Sequence, residues 1–146
     1  MSYATAETAL ETILKTVSGY SATNVKKGDD RVLGSGQAKA IIIRPGPFTR
    51  EISPPGVINN SWQIKLELYI PYRGEVLTFW DSIRTERQNI LDTLDTYFTL
   101  DKSAGVIYGG VESGDEPELL QIGSNLFWWQ VMRVTIREIT TVAYAE

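Results

Sequence analysis

The stretch Trp62-Gln-Ile-Lys-Leu-Glu-Leu-Tyr-Ile-Pro-Tyr72 alternates almost without a break. Trp62, Ile64, Leu66, Leu68, Ile70 and Tyr72 fall on one side of an extended chain, with Gln63, Lys65 and Glu67 on the other. That pattern predicts a strand with one face in the core and one in water, as in an antiparallel sheet. Gly74 then turns the chain into a helix over 75–97, whose stripe is Val76, Trp80, Ile83, Ile90, Leu94 and Tyr97. Arg87 stands on that stripe where an apolar residue is expected.

The flanking segments fit around this pair. Residues 5–18 read as a helix through Ala6, Ala9, Leu10, Ile13, Leu14 and Val17, capped by Ser2 or Thr5 and ended by Gly19. Ala38–Arg44 is a short β-branched strand centred on Ile41, Ile42 and Ile43. Val106–Glu112 and Glu118–Gly123 flank the polar turn Ser113-Gly-Asp-Glu-Pro117 and read as a hairpin. Leu126–Val142 is the last strand, with Trp128, Met132, Val134 and Ile136 on one face. Two long loops remain: 20–36, with Gly28, Gly34 and Gly36, and 45–61, which holds Pro45, Pro47, Pro54 and Pro55. Loops of that length in a small domain are functional or disordered. The order predicts one α+β domain over 1–146, an antiparallel sheet of four or five strands with two helices packed mainly on one face.

Composition narrows the chemistry. The chain has no Cys and no His, which removes thiolate nucleophiles, imidazole bases and nearly all zinc or iron sites. An enzyme would have to work with carboxylates, a lysine or oxygen-bound Mg²⁺ or Ca²⁺. No apolar run approaches the ~20 residues that span a bilayer. The N-terminus carries no basic segment followed by an apolar one, so the protein is expected to stay where it is made.

Charge is segregated. Residues 21–50 hold Lys26, Lys27, Arg31, Lys39, Arg44 and Arg50 against Asp29 and Asp30, a local +4 in a chain of net −4. Residues 92–118 hold Asp92, Asp95, Asp101, Glu112, Asp115, Glu116 and Glu118 against Lys102, a local −6. The glycines near Lys39 suggest a phosphate loop, but such a loop follows a strand and opens a helix. Here they precede a strand, and the Ser/Thr after the lysine is missing. A mobile basic arm fits better. Its complement is the acidic segment, as in a protein that joins copies head to tail.

The remaining candidates read as structure. Asp92 and Asp95 at i, i+3, and Asp115 and Glu116 on a turn, lack the third group that acid–base or metal work needs. Trp128 and Trp129 must face opposite sides of a strand, one into the core and the other towards a subunit interface or a covering loop. Arg87 either snorkels at the helix edge or meets a carboxylate of a neighbouring subunit. Basic residues on the strands are too few for single-stranded nucleic-acid binding.

Taken together, Ala9-Leu-Glu-Thr-Ile-Leu14, Trp62-Gln-Ile-Lys-Leu-Glu-Leu-Tyr69 and Trp128-Trp-Gln-Val-Met-Arg-Val-Thr-Ile-Arg-Glu138, in this order of elements, resemble the tail terminator or tail completion proteins of tailed bacteriophages. The likeness spans nearly the whole chain as an order of elements, and extends to minor proteins of the phage neck. It implies a non-enzymatic virion protein forming a ring, commonly of six copies, that caps the tail tube, stops its polymerisation and offers a face to the head. Its partners would be further copies of itself, the tail tube protein and a head–tail connector or neck protein. No cofactor, membrane or sequence-specific nucleic acid is expected, and assembly would take place in the host cytoplasm. From charge and loop placement, Lys26, Lys27, Arg31, Arg44 and Arg50 would meet Asp92, Asp95, Asp101, Glu112, Asp115, Glu116 and Glu118 of the next subunit. Pro47, Phe48, Ile52, Pro54 and Pro55 would touch the tube or neck. The alternatives are a neck or head-completion adaptor and, in another class, a small carboxylate-based enzyme or ligand-binding domain.

Overall fold

The computed structural model describes residues 3–28, 39–53, 56–72, 76–97, 106–122 and 125–141. In chain order these form α1 (Tyr3–Leu14), β1 (Val25–Lys27), β2 (Ala40–Ser53), β3 (Val57–Pro71), α2 (Val76–Thr96), β4 (Val106–Gly114), β5 (Glu118–Ile122) and β6 (Asn125–Thr141). Arg31, Pro54, Pro55 and Asp101 lie outside the described residues.

β3 is the centre of one sheet of order β1-β2-β3-β6-β4, with β5 also paired to β6. Its alternation works as expected: Ile64, Leu66, Leu68 and Ile70 are buried on one face. They meet Ile41 and Ile43 of β2, Met132, Val134 and Ile136 of β6, and the stripes of both helices. Leu10, Ile13 and Leu14 come from α1, and Ile83, Ile90 and Leu94 from α2, so both helices cover the same face. The chain leaves α1 through a tight turn in which Gly19 takes φ 84, and Asn24 Nδ2 donates to the Gly19 carbonyl at 3.0 Å.

The sheet has six strands and is mixed, where an antiparallel one of four or five was expected. β1 runs parallel to β2, with Val25 opposite Ile41 and Lys27 opposite Ile43. Ile41 N donates to the Asn24 carbonyl and Gly28 N to that of Ile43, each at 2.9 Å. The supposed loop 20–36 therefore begins with an anchored strand, pinned by buried Val25. Lys26 and Lys27 are strand residues, not part of a mobile arm, and Lys27 Nζ donates to Thr8 Oγ1 of α1 at 3.1 Å.

The supposed loop 45–61 is mostly a hairpin, β2 and β3 paired from Ala40↔Tyr69 out to Ser53↔Val57. Two of its prolines sit inside β2, at places that tolerate them. Ile41 and Ile43 aim their backbone groups at β1, and Pro45 is the next position with that orientation, just beyond the point where β1 stops. No N–H is needed on that edge. Pro47 falls in a β-bulge, where the register shifts between Pro45 and Phe48. A Cβ on Gly46 in that bulge would lie 2.6 Å from the Gln63 carbonyl oxygen, so the close approach requires glycine.

β4 and β5 do not form a hairpin with each other. Both pair antiparallel with β6, β4 against 132–138 and β5 against 125–129. They form one line interrupted by an excursion at Asp115–Pro117, where Asp115 N still donates to the Val131 carbonyl at 2.8 Å. The hairpin-like pairing is instead between β5 and β6, with Ile122 opposite Asn125. The second face of the sheet is not simply wet either. Ala40, Ile42, Tyr69 and Phe127 form a buried cluster there, flanked by Leu120, Ile122 and Trp129.

Candidate interaction surfaces

The sheet order gives the charge segregation a direction. Lys26 and Lys27 lie on β1 at one edge, while Glu112, Glu116 and Glu118 are exposed along the β4–β5 line at the other. Asp92 and Asp95 are exposed on α2, and Gln88 Nε2 donates to Asp92 at 2.8 Å. Two residues expected to point outward have partners within the chain. Arg44 pairs with Glu67 on the open face of the sheet, and Arg133 holds Asp115 through two bonds of 2.7 and 3.0 Å. The Arg133 hydrogen bonds keep the Asp115 carboxyl below its ordinary pKa.

Beyond the bulge, β2, β3 and β6 run past the main core together. Phe48, 60% exposed, leans on Trp62 with ring centres 5.4 Å apart, and Ile52 is 68% exposed. Both are on the helix side, since Phe48 pairs with Trp62 and Ile52 with Ile58. A chain of polar contacts stiffens this end. Arg50 Nε donates to Asn60 Oδ1 at 3.1 Å, and Asn60 Nδ2 and Trp62 Nε1 donate to Glu138 Oε1 at 3.1 and 2.9 Å. Glu138 is only 1% exposed, so these donors offset much of the desolvation of its carboxylate. On the opposite side of the same strands a cleft of about 520 Å³ is lined by Thr49, Asn59, Ser61, Gln63, Thr135 and Arg137, among others.

The second buried carboxylate is Glu67, 8% exposed on the open face. Its Oε2 accepts from the Tyr69 hydroxyl at 2.7 Å and from Trp129 Nε1 at 2.8 Å, while Arg44 pairs with Oε1. This settles the two tryptophans. Trp128 joins the helix-side core, its ring 4.9 Å from that of Trp80, and Trp129 covers the Glu67 cluster. Neither Glu67 nor Glu138 stood out in the sequence, because each occupies an ordinary polar position. Each carboxylate lies diagonal to an indole on the neighbouring strand: Glu67 is opposite Val131, two residues from Trp129, and Glu138 is opposite Asn60, two residues from Trp62.

A third polar group joins the first turn to α2. Lys39 Nζ pairs with Glu86 Oε1 and sits 4.7 Å above the Tyr20 ring. The buried Tyr20 hydroxyl makes no hydrogen bond of good geometry among the described residues. Burial, and then the Glu86 charge, raise this phenol far above its ordinary pKa; burial and Glu67 raise Tyr69 in the same direction. A phenol that stays protonated in the folded state but ionises in the unfolded chain makes stability fall as pH rises. The loss should therefore begin near the ordinary phenol value, about pH 10, with a slope of up to ~1.4 kcal/mol per pH unit per tyrosine. Tyr20→Phe should raise neutral-pH stability, by roughly 1 kcal/mol, since it removes a buried hydroxyl that has no good partner. The same variant should flatten the alkaline loss; urea titrations on either side of about pH 10 check both.

Among the described residues no group of three or more acidic side chains is placed to hold a metal ion. No helix among them is long and apolar enough to cross a membrane. Glu67 and Glu138 lie on opposite faces of the sheet, so their carboxylates do not converge on one substrate. Comparison of the chain with protein-family profiles and with curated proteins gives no match.

Proposed function

We propose that the protein is a structural component of a phage tail, a tail terminator that assembles into a ring at the head-proximal end. The observation that carries this reading is the placement of basic β1 and acidic β4–β5 at opposite edges of one sheet. A contact between unlike edges is heterologous, and a heterologous contact closes into a ring when its rotation permits. Complementary charge selects that pairing over like-with-like. The extended end of β2–β3, with Pro47 and Phe48, supplies a surface for the tube or neck, and the exposed apolar side chains there support an assembly role.

The test is the mass in solution by light scattering at low and high salt. A ring closed by exposed charges should form at low salt and loosen as salt screens them. Reversing Lys26, Lys27 and Arg31 together should weaken association at least ~10-fold at low salt. Unchanged assembly in that variant would sink the edge-to-edge joint. The neck or head-completion adaptor rests on the same surfaces; binding to filled heads rather than to tail tubes would select it. An enzymatic reading would require two carboxylates facing one cavity, and the opposed faces of Glu67 and Glu138 weigh against it.

A further inference from the structure

Arg87 lies on the buried stripe of α2, between Ile83 and Ile90, yet it is only half-buried and makes no ion pair among the described residues. Beside it a cleft of about 410 Å³ opens between α2 and the Asp115–Pro117 excursion. Leu91, Val111 and Met132 give it apolar walls. Arg87 lines the helix side, Glu116 the excursion side, and Gln130 also borders the hollow. Gln130 is 4% exposed, and its Nε2 donates to the Asp115 carbonyl at 2.7 Å, which fixes the orientation of the amide. Its Oε1 is left buried without a donor among the described residues. The fixed Gln130 amide makes the floor of the cleft a rigid one.

The far end of β2 has what this cleft lacks. β3 uses Gln63, Ser61 and Asn59 to bond β2, so Phe48, Arg50 and Ile52 direct their backbone groups away from β3, along an edge that no described strand covers. Side chains alternate across that edge, with Arg50 and Ile52 on one side and Glu51 on the other. All three are exposed.

Resting on the ring reading above, we infer that the β2 edge of one copy enters the Arg87 cleft of the next. An edge-on approach sends Glu51 towards the α2 wall and Arg87, and Arg50 towards the excursion and Glu116. Ile52 covers the apolar part of the cleft, against Leu91, Val111 and Met132. The occupant is a second copy of this chain, because the order of charge along Arg50-Glu51 matches the two walls. Ile52 then belongs to the subunit joint, leaving Pro47 and Phe48 for the axial partner.

Charge exchange and crosslinking test the contact. Arg87→Glu and Glu51→Arg should each weaken association about 10-fold, and the two together in one chain should recover most of that loss. The chain has no cysteine, so single cysteines report cleanly. Ile52→Cys mixed with Glu116→Cys should form a mixed disulfide under mild oxidation, faster than either variant pairs with itself. Glu51 is exposed, so its variant reports on assembly even if Arg87→Glu disturbs the fold. If the wild-type chain forms an oligomer that both single reversals leave intact, and no 52–116 crosslink appears, the contact is overturned and the ring stands on another surface. A wild-type chain that is monomeric at every concentration and salt overturns both.

Discussion

Replacing Glu67 with alanine should lower the stability of the fold by about 3 kcal/mol and its melting temperature by on the order of 10 °C. The residue is a shared acceptor for the Tyr69 hydroxyl and the Trp129 indole, and it is the partner of Arg44. Removing it leaves the buried Tyr69 hydroxyl and the half-buried Trp129 indole N–H with nothing to bond, and a buried donor left so costs about 1–3 kcal/mol. Arg44 adds less, because its side chain is about a third exposed and can turn to water. Glu67→Gln keeps the volume but turns one acceptor into a donor, so it should cost roughly half as much. The Tyr69 phenol gives an independent readout. Its pKa is raised first by burial and then by Glu67, so the glutamine variant should move it part of the way back towards the ordinary value. Urea denaturation and the ultraviolet absorbance of phenolate measure the two effects separately. Unchanged stability in the alanine variant would mean that the cluster is incidental.

That cluster also marks the limit of what periodicity could reveal. The pattern around Trp62–Tyr72 correctly gave the core face, because burial of Ile64, Leu66 and Leu68 is a property of alternation alone. It gave the polar face as water-facing, and there Glu67 is buried. Whether a polar residue on a strand meets solvent depends on its cross-strand neighbours, and Trp129 belongs to a segment far along the chain. Both helices were legible from their stripes, and Arg87 stood out as an exception on its own. β1 was not, since three residues show no periodicity and their partner runs parallel. The prolines misled for a related reason: propensity marks Pro45 and Pro47 as loop, but an edge position and a bulge remove the penalty. The excursion at Asp115–Pro117 has true turn chemistry, and turn chemistry between two apolar runs predicts a hairpin. The register with β6 shows that an edge strand can bend out and rejoin the same partner. Charge segregation was visible from the start. Its meaning depended on the strand order, which sends the basic and acidic segments to opposite edges.

The bulge at Gly46 should control the assembly surface more strongly than any single charge. At present Pro45 pairs with Ile64 and Phe48 with Trp62, so β2 carries one extra residue through this step. That extra residue is what brings Phe48, Arg50 and Ile52 to the helix side. Gly46→Val should not be accommodated in place, because its Cβ would collide with the Gln63 backbone rather than with a side chain that can move aside. The strand can escape the clash by slipping one residue into regular pairing, and a one-residue slip exchanges the faces of everything beyond it. Thr49 and Glu51 would then take the helix side, with Ile52 turned to the opposite face. The expected cost in stability is about 1–3 kcal/mol, modest because residues 48–53 lie outside the main core. The expected effect on self-association is larger, at least ~100-fold, since the buried Ile52 contact and both charge pairs would be lost together. Deleting Pro47 from the Gly46→Val chain removes the surplus residue, restores Phe48 opposite Trp62 in regular pairing, and should recover assembly. Recovery in the deletion variant, followed by light scattering alongside urea denaturation, would separate the facing of the strand from the presence of the bulge. If Gly46→Val assembles as well as the parent, the end of β2 does not form the joint.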